Sequence, residues 1–335
     1  MTSEVSAHAP EIPVTTLRSA RWLRWILRTL ATTGALLLAA SITVFALASA
    51  LPGNVAREIV GLHATQTQVA QKAAELGLDR PWPQRYISWL AGALRGDLGT
   101  SWFTHVPIAG TIADRLPITF TLTVCALAVT AVVGIGAGMY AAVHPGPLDR
   151  VIYLLSTIAG VLPNFVVGIW LLFAFAIHLR IFPATGYVPL HQDGIGWVLS
   201  ATLPVLALAV GTSGAVAQQT RVSAARAFEE PYVRTLRARG LPESSIRIRH
   251  VLRNIGPAVL AVISLQFIGL VGGTVVIENL FNIPGLGSTI TTAAVRGDLP
   301  VLVGCTAVLV AVVVVVTLLT ELVHGLLDPR IRMTR

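Results

Sequence analysis

The residues that could carry nucleotide, metal or acyl-transfer chemistry do not stand in the patterns such chemistry needs. The only lysine, Lys72, lies between Gln71 and Ala73. A phosphate-binding loop ends in Gly-Lys-Ser/Thr, because the lysine reaches the phosphates and the hydroxyl holds magnesium. This chain therefore supplies no such loop. Its eight histidines are scattered and none opens a His-Glu-x-x-His motif. Gly211-Thr212-Ser213-Gly214 falls short of the Gly-x-Ser-x-Gly elbow that exposes a nucleophilic serine. Cys125 and Cys305 each sit inside an apolar run and read as small buried hydrophobes, not as a metal pair or a disulfide framework. His178 and His191 read as loop or interfacial groups. No catalytic residue and no metal ligand is expected.

What the sequence does carry is a punctuated basic segment. Residues 221–254 hold eight arginines, and within them runs Phe-Glu-Glu-Pro-Tyr-Val-Arg-Thr-Leu-Arg-Ala-Arg-Gly-Leu-Pro-Glu-Ser-Ser (228–245). Pro231 suits the first turn of a helix, where a missing N–H costs nothing. Glu229 and Glu230 sit at that helix's positive end, with Arg237 and Arg239 near its negative end. Gly240 suits the left-handed stop position. Pro242 opens a second helix expected to reach about residue 254, and Gly256-Pro257 is expected to break it from the fifth apolar span. The first helix, 231–239, would be about 13 Å long at 1.5 Å per residue. Two readings fit these residues: a basic loop that enforces topology, and a rigid charged helix that docks into another protein. The punctuation is needed only by the second.

The elements that must position this segment follow from composition. Of 335 residues, 54% are hydrophobic and 12% charged, and mean hydropathy is +0.74. A soluble domain carries roughly a quarter charged residues, so a soluble or disordered chain is excluded. Six apolar stretches lack Asp, Glu, Lys and Arg: 29–56, 116–147, 151–177, 194–220, 255–277 and 299–320. Each meets the roughly 20 residues needed to cross a bilayer core, which predicts an all-α integral membrane protein with six transmembrane helices. Residues 18–28, the run after them and Ala48-Ser49-Ala50 imitate a cleaved signal peptide. However, that run of about 20 residues exceeds the usual 7–15 of a signal core, so the helix is read as retained.

Arginine placement gives the orientation. With the N-terminus cytoplasmic, that side holds 16 basic and seven acidic residues, against eight of each opposite. Both termini are thus expected in the cytoplasm. The net charge of +8 is then a topology signal, with no nucleic-acid partner implied. The expected organisation is a disordered tail (1–17), an N-terminal transmembrane helix (18–56), an extracytoplasmic segment (57–115), a membrane core (116–325) containing 221–254, and a C-terminal tail (326–335). In 57–115, short helices are expected over 67–76, ended by Gly77, and over 83–94. Trp82, Trp89 and Trp102 suit a membrane interface.

Tyr-Val-Arg-Thr-Leu-Arg-Ala-Arg-Gly-Leu-Pro-Glu (232–243) followed by Arg-His-Val-Leu-Arg-Asn (249–254) resembles the coupling segment of ABC importer permeases. The resemblance is to the dipeptide/oligopeptide/nickel branch, and within it to the first permease subunit. It extends over about residues 20–332 through Leu-Gly-Leu-Asp-Arg-Pro (76–81), Leu-Arg-Gly-Asp-Leu-Gly-Thr-Ser (94–101), Asp-Arg-Leu-Pro (114–117), Leu-Pro-Asn-Phe (162–165), Phe-Asn-Ile-Pro-Gly-Leu-Gly (281–287) and Leu-Leu-Asp-Pro-Arg-Ile-Arg (326–332). It implies the type I importer permease fold in a bacterial inner membrane. It also implies a second homologous permease, two cytoplasmic P-loop ATPase subunits that bind ATP and magnesium, and an extracytoplasmic solute-binding protein. This chain itself would hold no cofactor. In such permeases the short helix fits a groove on the ATPase. By resemblance that role falls on Glu230, Tyr232, Val233, Arg234, Thr235, Arg237, Ala238, Arg239, Gly240 and Leu241. Pro231 and Leu236 depart from the pattern, standing where relatives more often have an acidic residue and an alanine. The loop 144–150 is also less basic than usual.

Asn164, Gln266 and Thr274 are polar within spans, so each could line the pathway or make an interhelical hydrogen bond. Gly269 and Gly273 have the spacing of close helix packing. The rival class is a stand-alone ion-coupled transporter. Such carriers place ionisable groups deep in their spans, whereas Glu278 and Glu321 are read at span ends, as interface anchors or caps. Cargo of the resembled branch ranges from peptides to nickel chelates.

Overall fold

The computed structural model describes the backbone of residues 14–50, 55–61 and 63–327, and the side chains of 31–50, 55–61 and 63–323. Helix α1 is Val14–Ala50 and α2 is Val55–Val60. The short helices α3 (Gln66–Glu75) and α4 (Trp82–Ala93) come after them. Next are α5 (Ile108–Val143), α6 (Pro147–Val161) and α7 (Asn164–Leu171), which continues as a π-helical turn over Leu172–His178. Helix α8 is Gly194–Glu229, α9 is Pro231–Ala238 and α10 is Glu243–Ser245. A π-helical turn over Ile246–Val251 joins α10 to α11 (Leu252–Leu280). Helices α12 (Leu286–Arg296) and α13 (Leu299–Leu327) complete the order. The expected tail 1–17 is shortened, because Val14 already begins α1. Residues 1–13 and the tail from 328 lie outside the described residues.

Among the described residues five helices are long and apolar enough to cross a membrane, and a bent pair, Pro147–Val161 with Asn164–His178, raises the number to six if it counts as one span. The run 151–177 is therefore not one straight helix: its halves meet at 104°. Pro163 is the cause. It forces the preceding residue out of the helical region, and Leu162 is extended at φ −72°, ψ 125°. Gly256-Pro257, in contrast, breaks nothing. Residues 243–280 form one continuous span candidate, and Pro257 lies inside α11. Prolines inside apolar spans are tolerated where neighbouring groups re-satisfy the freed carbonyl; Pro117 in α5 and Pro204 in α8 are two more.

Glycines set the closest helix approaches. A Cβ on Gly134 would lie 2.7 Å from that of Val216, and one on Gly138 would overlap the Ala217 carbonyl oxygen. Residue numbers rise together along this contact, so α5 and α8 run in the same direction. Thr130 and Thr212 exchange a 2.6 Å hydrogen bond across it. A Cβ on Gly214 would overlap the Ser156 carbonyl, which brings α6 onto α8. Of the expected pair, Gly273 does pack closely, against Asn164 and Leu208, but Gly269 faces open space. The main core is Leu122, Leu171, Leu203, Leu208, Leu270, Ile277 and Phe281, drawn from α5, α7, α8 and α11.

The segment between α1 and α5 folds much as its sequence suggests. Thr65 and Gln68 form a reciprocal capping box on α3, and Gly77 takes a positive φ of 67° at its end. Trp89 and Trp102 do not stand free as interface anchors. They pack with Phe45, Tyr86, Leu299 and Val303, which fastens α4 to α1 and α13; Trp82 stays exposed.

Candidate functional site

Helix α9 is the arginine-rich turn between two long helices, and each of its ends is fixed by local chemistry. Glu230 is extended at φ −64°, ψ 144°, so α8 stops there, and Pro231 occupies the first position of α9. At the other end Gly240 has φ +75°. The Gly240 N–H donates to the Arg237 carbonyl at 2.9 Å, and the Leu241 N–H donates to the Leu236 carbonyl at 3.3 Å. This is the paired hydrogen-bond pattern of a Schellman stop, which needs a left-handed residue and pairs the two flanking apolar side chains. Leu236 and Leu241 do pack on one cluster. The leucine at 236 thus has a structural purpose that alanine would serve less well.

The eight residues of α9 have two faces. Val233 is fully buried in a core with Val216, Ala224, Ala227, Ile246, Val251, Ile255 and Val259, and Tyr232, Leu236 and Leu241 cover its edge. Asn254 donates to the Tyr232 hydroxyl at 3.3 Å. Glu230, Arg234, Thr235, Arg237, Ala238, Arg239 and Gly240 are exposed. The ten residues carried over by resemblance therefore divide. Tyr232, Val233 and Leu241 seat the helix, and the other seven form the surface that a partner could touch.

Two ion pairs brace this unit, and neither is visible in sequence spacing. Arg237 donates from Nε and Nη2 to Glu243 at 2.6 and 3.3 Å, so the end of α9 is tied across the Gly240 turn to α10. That hydrogen bond holds the Arg237 pKa above its ordinary value, and its charge is permanent. Arg221, the last basic residue before the turn of α8 that leads to α9, forks onto Asp149 at 2.5 and 2.7 Å. It also lies 5.8 Å from the centroid of the Tyr153 ring. Asp149 is in the first turn of α6, where a carboxylate complements the helix dipole.

The three pathway candidates separate. Thr274 is completely buried and donates to the Val271 carbonyl of its own helix at 2.8 Å. It faces the interior of this subunit. Asn164 begins α7 at the bend and is wedged near Gly211 of α8 and Gly273 of α11. Gln266 is half-buried on α11, beside exposed Leu265 and Ile268. These three are not brought together into one site. Among the described residues no group of His, Cys, Asp and Glu could hold a metal ion. Glu321 is exposed in α13. Glu278 is not an interface anchor: it is fully buried, and it caps α12 rather than its own helix.

Comparison with known proteins gives this surface its context. Residues 134–333 match the family described as binding-protein-dependent transport system inner membrane component, and residues 22–123 match that family's N-terminal region. A probable peptide ABC transporter permease protein of Sinorhizobium fredii is 35% identical over 92% of this chain and 99% of its own length. A putative peptide transport system permease protein of Brucella abortus is 35% identical over 92% and 98%. The glutathione transport system permease protein of Pectobacterium atrosepticum is 33% identical over 88% and 94%. With both family models matched and relatives a third identical over about nine-tenths of its length, the chain belongs to the binding-protein-dependent inner-membrane components, the multi-pass permease subunits of ABC transporters, whose ATPase activity is carried by separate subunits.

Proposed function

We propose that this chain is one half of the translocation pathway of a peptide importer, and that α9 is the element through which a cytoplasmic ATPase drives it. The observation that carries the reading is the two-faced α9: an apolar side locked into the bundle and a polar, arginine-rich side left open. In this reading both termini are cytoplasmic, as the arginine distribution favours. A second, homologous permease completes the pathway, with Asn164 and Gln266 as candidates to face it. Two P-loop ATPases bind the outer faces of α9 and its counterpart, and an extracytoplasmic binding protein delivers cargo. ATP binding closes the ATPases and turns the permease pair outward; hydrolysis resets it. Peptides are the favoured cargo because relatives in Sinorhizobium and Brucella are named for peptide transport.

Affinity purification of the tagged chain from its own cells in mild detergent, followed by mass spectrometry, tests the assembly. A second multi-span permease and P-loop ATPases are expected in the eluate. A chain that elutes alone, and in vesicles moves peptide with a proton gradient and no ATP, would replace this reading with an ion-coupled carrier.

A further inference from the structure

At the end of α11 remote from α9, the buried Glu278 joins three helices. Its Oε1 accepts a 2.6 Å hydrogen bond from the Thr119 hydroxyl of α5. Its Oε2 accepts one of 3.0 Å from the Ser288 N–H. Thr119 Oγ1 in turn accepts from the Leu286 N–H at 2.8 Å. Leu286 and Ser288 lie in the first turn of α12, so carboxylate and hydroxyl together satisfy amides that a helix start leaves orphaned. The local sequence is shaped around this contact. A Cβ on Gly285 would fall on the Glu278 carboxyl group, and one on Gly287 would lie 2.9 Å from Oε2. Arg115, one turn before Thr119, donates to the Pro284 carbonyl at 3.0 Å.

The two ends of this helix do different things. Residues 243–280 form one 38-residue span candidate, about 57 Å at 1.5 Å per residue. Its first turns supply Ile246, Val251, Ile255 and Val259 to the core that seats Val233 of α9. Its last turns supply Glu278. Beside that carboxylate, α12 is held to α11 by Asn279, which donates to Thr291 at 3.1 Å, and to α5 and α13 by apolar contacts through Ile108, Ile112, Leu286, Ala293, Val301 and Cys305. Removing both the Glu278 carboxylate and the Asn279 amide therefore leaves α12 seated but cuts its polar links to α11.

We propose that Glu278 is a positioning residue that makes α12 move with α11, so that the ATPase cycle acting on α9 reaches the opposite end of the bundle. Coupling between sites is reciprocal, so a partner pressing on α12 acts back on α9 through the same link. This inference rests on the reading of α9 as the ATPase contact. The test uses the assembled transporter with a nitroxide on Val295→Cys of α12 or on Leu265→Cys of α11, sites that are 81% and 65% exposed. Spectra are recorded with and without a non-hydrolysable ATP analogue. In the parent both labels respond. In Glu278→Leu combined with Asn279→Ala, which leaves the Ser288 N–H and the Thr291 hydroxyl without their α11 partners, the α11 label still responds and the α12 label no longer does. Peptide-stimulated ATP hydrolysis falls by roughly tenfold, an ordinary size for a coupling loss, and basal hydrolysis is unchanged. Glu278→Ala combined with Asn279→Ala removes the same two links, gives the same pattern, and serves if the leucine variant fails to assemble. An α12 label that keeps its response in both variants, or that never responds when the α11 label does, overturns the proposal. Silence of both labels in the parent overturns instead the ATP-driven reading on which it rests.

Discussion

Gly240→Val is expected to abolish peptide-stimulated ATP hydrolysis by the assembled transporter while the chain still inserts and pairs. The residue sits at φ +75° with nothing within 4 Å of an added Cβ, so the penalty is conformational and not a clash. A β-branched residue in the left-handed region costs roughly 1–2 kcal/mol. The chain can avoid that cost by leaving the region, which breaks the Gly240 and Leu241 hydrogen bonds that stop α9. The stop also sets the distance over which Arg237 reaches Glu243. Losing it re-aims Arg239 and Ala238 relative to the anchored Val233. Gly240→Asn is the control, because asparagine tolerates a left-handed stop, and it should keep most of the stimulation. Stimulated and basal hydrolysis measured on the same preparations check the pair. Equal stimulation in Gly240→Val and the parent would show that the stop does not position the docking face.

Gly138→Val is expected to prevent recovery of a folded, monodisperse transporter. Its Cβ would overlap the Ala217 carbonyl oxygen and approach within 2.7 Å of the Thr220 Cβ. A backbone carbonyl inside a helix cannot rotate aside as a long side chain can, so α5 and α8 must separate. Overpacking in cores that can yield costs roughly 1–3 kcal/mol, and this site has little capacity to yield. The separation would also strain the nearby fork of Arg221 onto Asp149. Gly136→Val, on the same helix with open space at its Cβ, should be tolerated. Size-exclusion profiles and thermal melting of the two variants decide the matter; similar profiles would contradict glycine-set packing.

Helix α9 is legible in the sequence because its signals are local. Pro231, Gly240 and Pro242 each act through their own backbone, and the structure has a start, a left-handed stop and a restart at those three places. Hydropathy runs likewise locate the spans, since apolar length is a property of composition. Interactions between segments distant in sequence are not legible. The 104° bend lies inside an unbroken apolar run, where composition hides what Pro163 does to Leu162. Gly134 and Gly138 carry the spacing of a packing motif, yet Gly269 and Gly273 carry it too, and only the partner helix distinguishes them. Glu278 has the sequence position of a span-end carboxylate. Its burial depends on Thr119, 159 residues away, and on two glycines that sequence alone presents as a turn. Thr274 has the sequence position of a pathway group, but a threonine can return its hydroxyl to a carbonyl of its own helix, and this one does.

The most direct test of the account is site-specific photo-crosslinking from α9 within an actively transporting complex. A photoreactive residue replaces exposed Ala238 in one preparation and buried Val233 in another. The account predicts that Ala238 captures a P-loop ATPase subunit and that Val233 captures none. An ATPase captured from neither position, while ATP-driven peptide uptake proceeds, would contradict α9 as the point at which the motor takes hold.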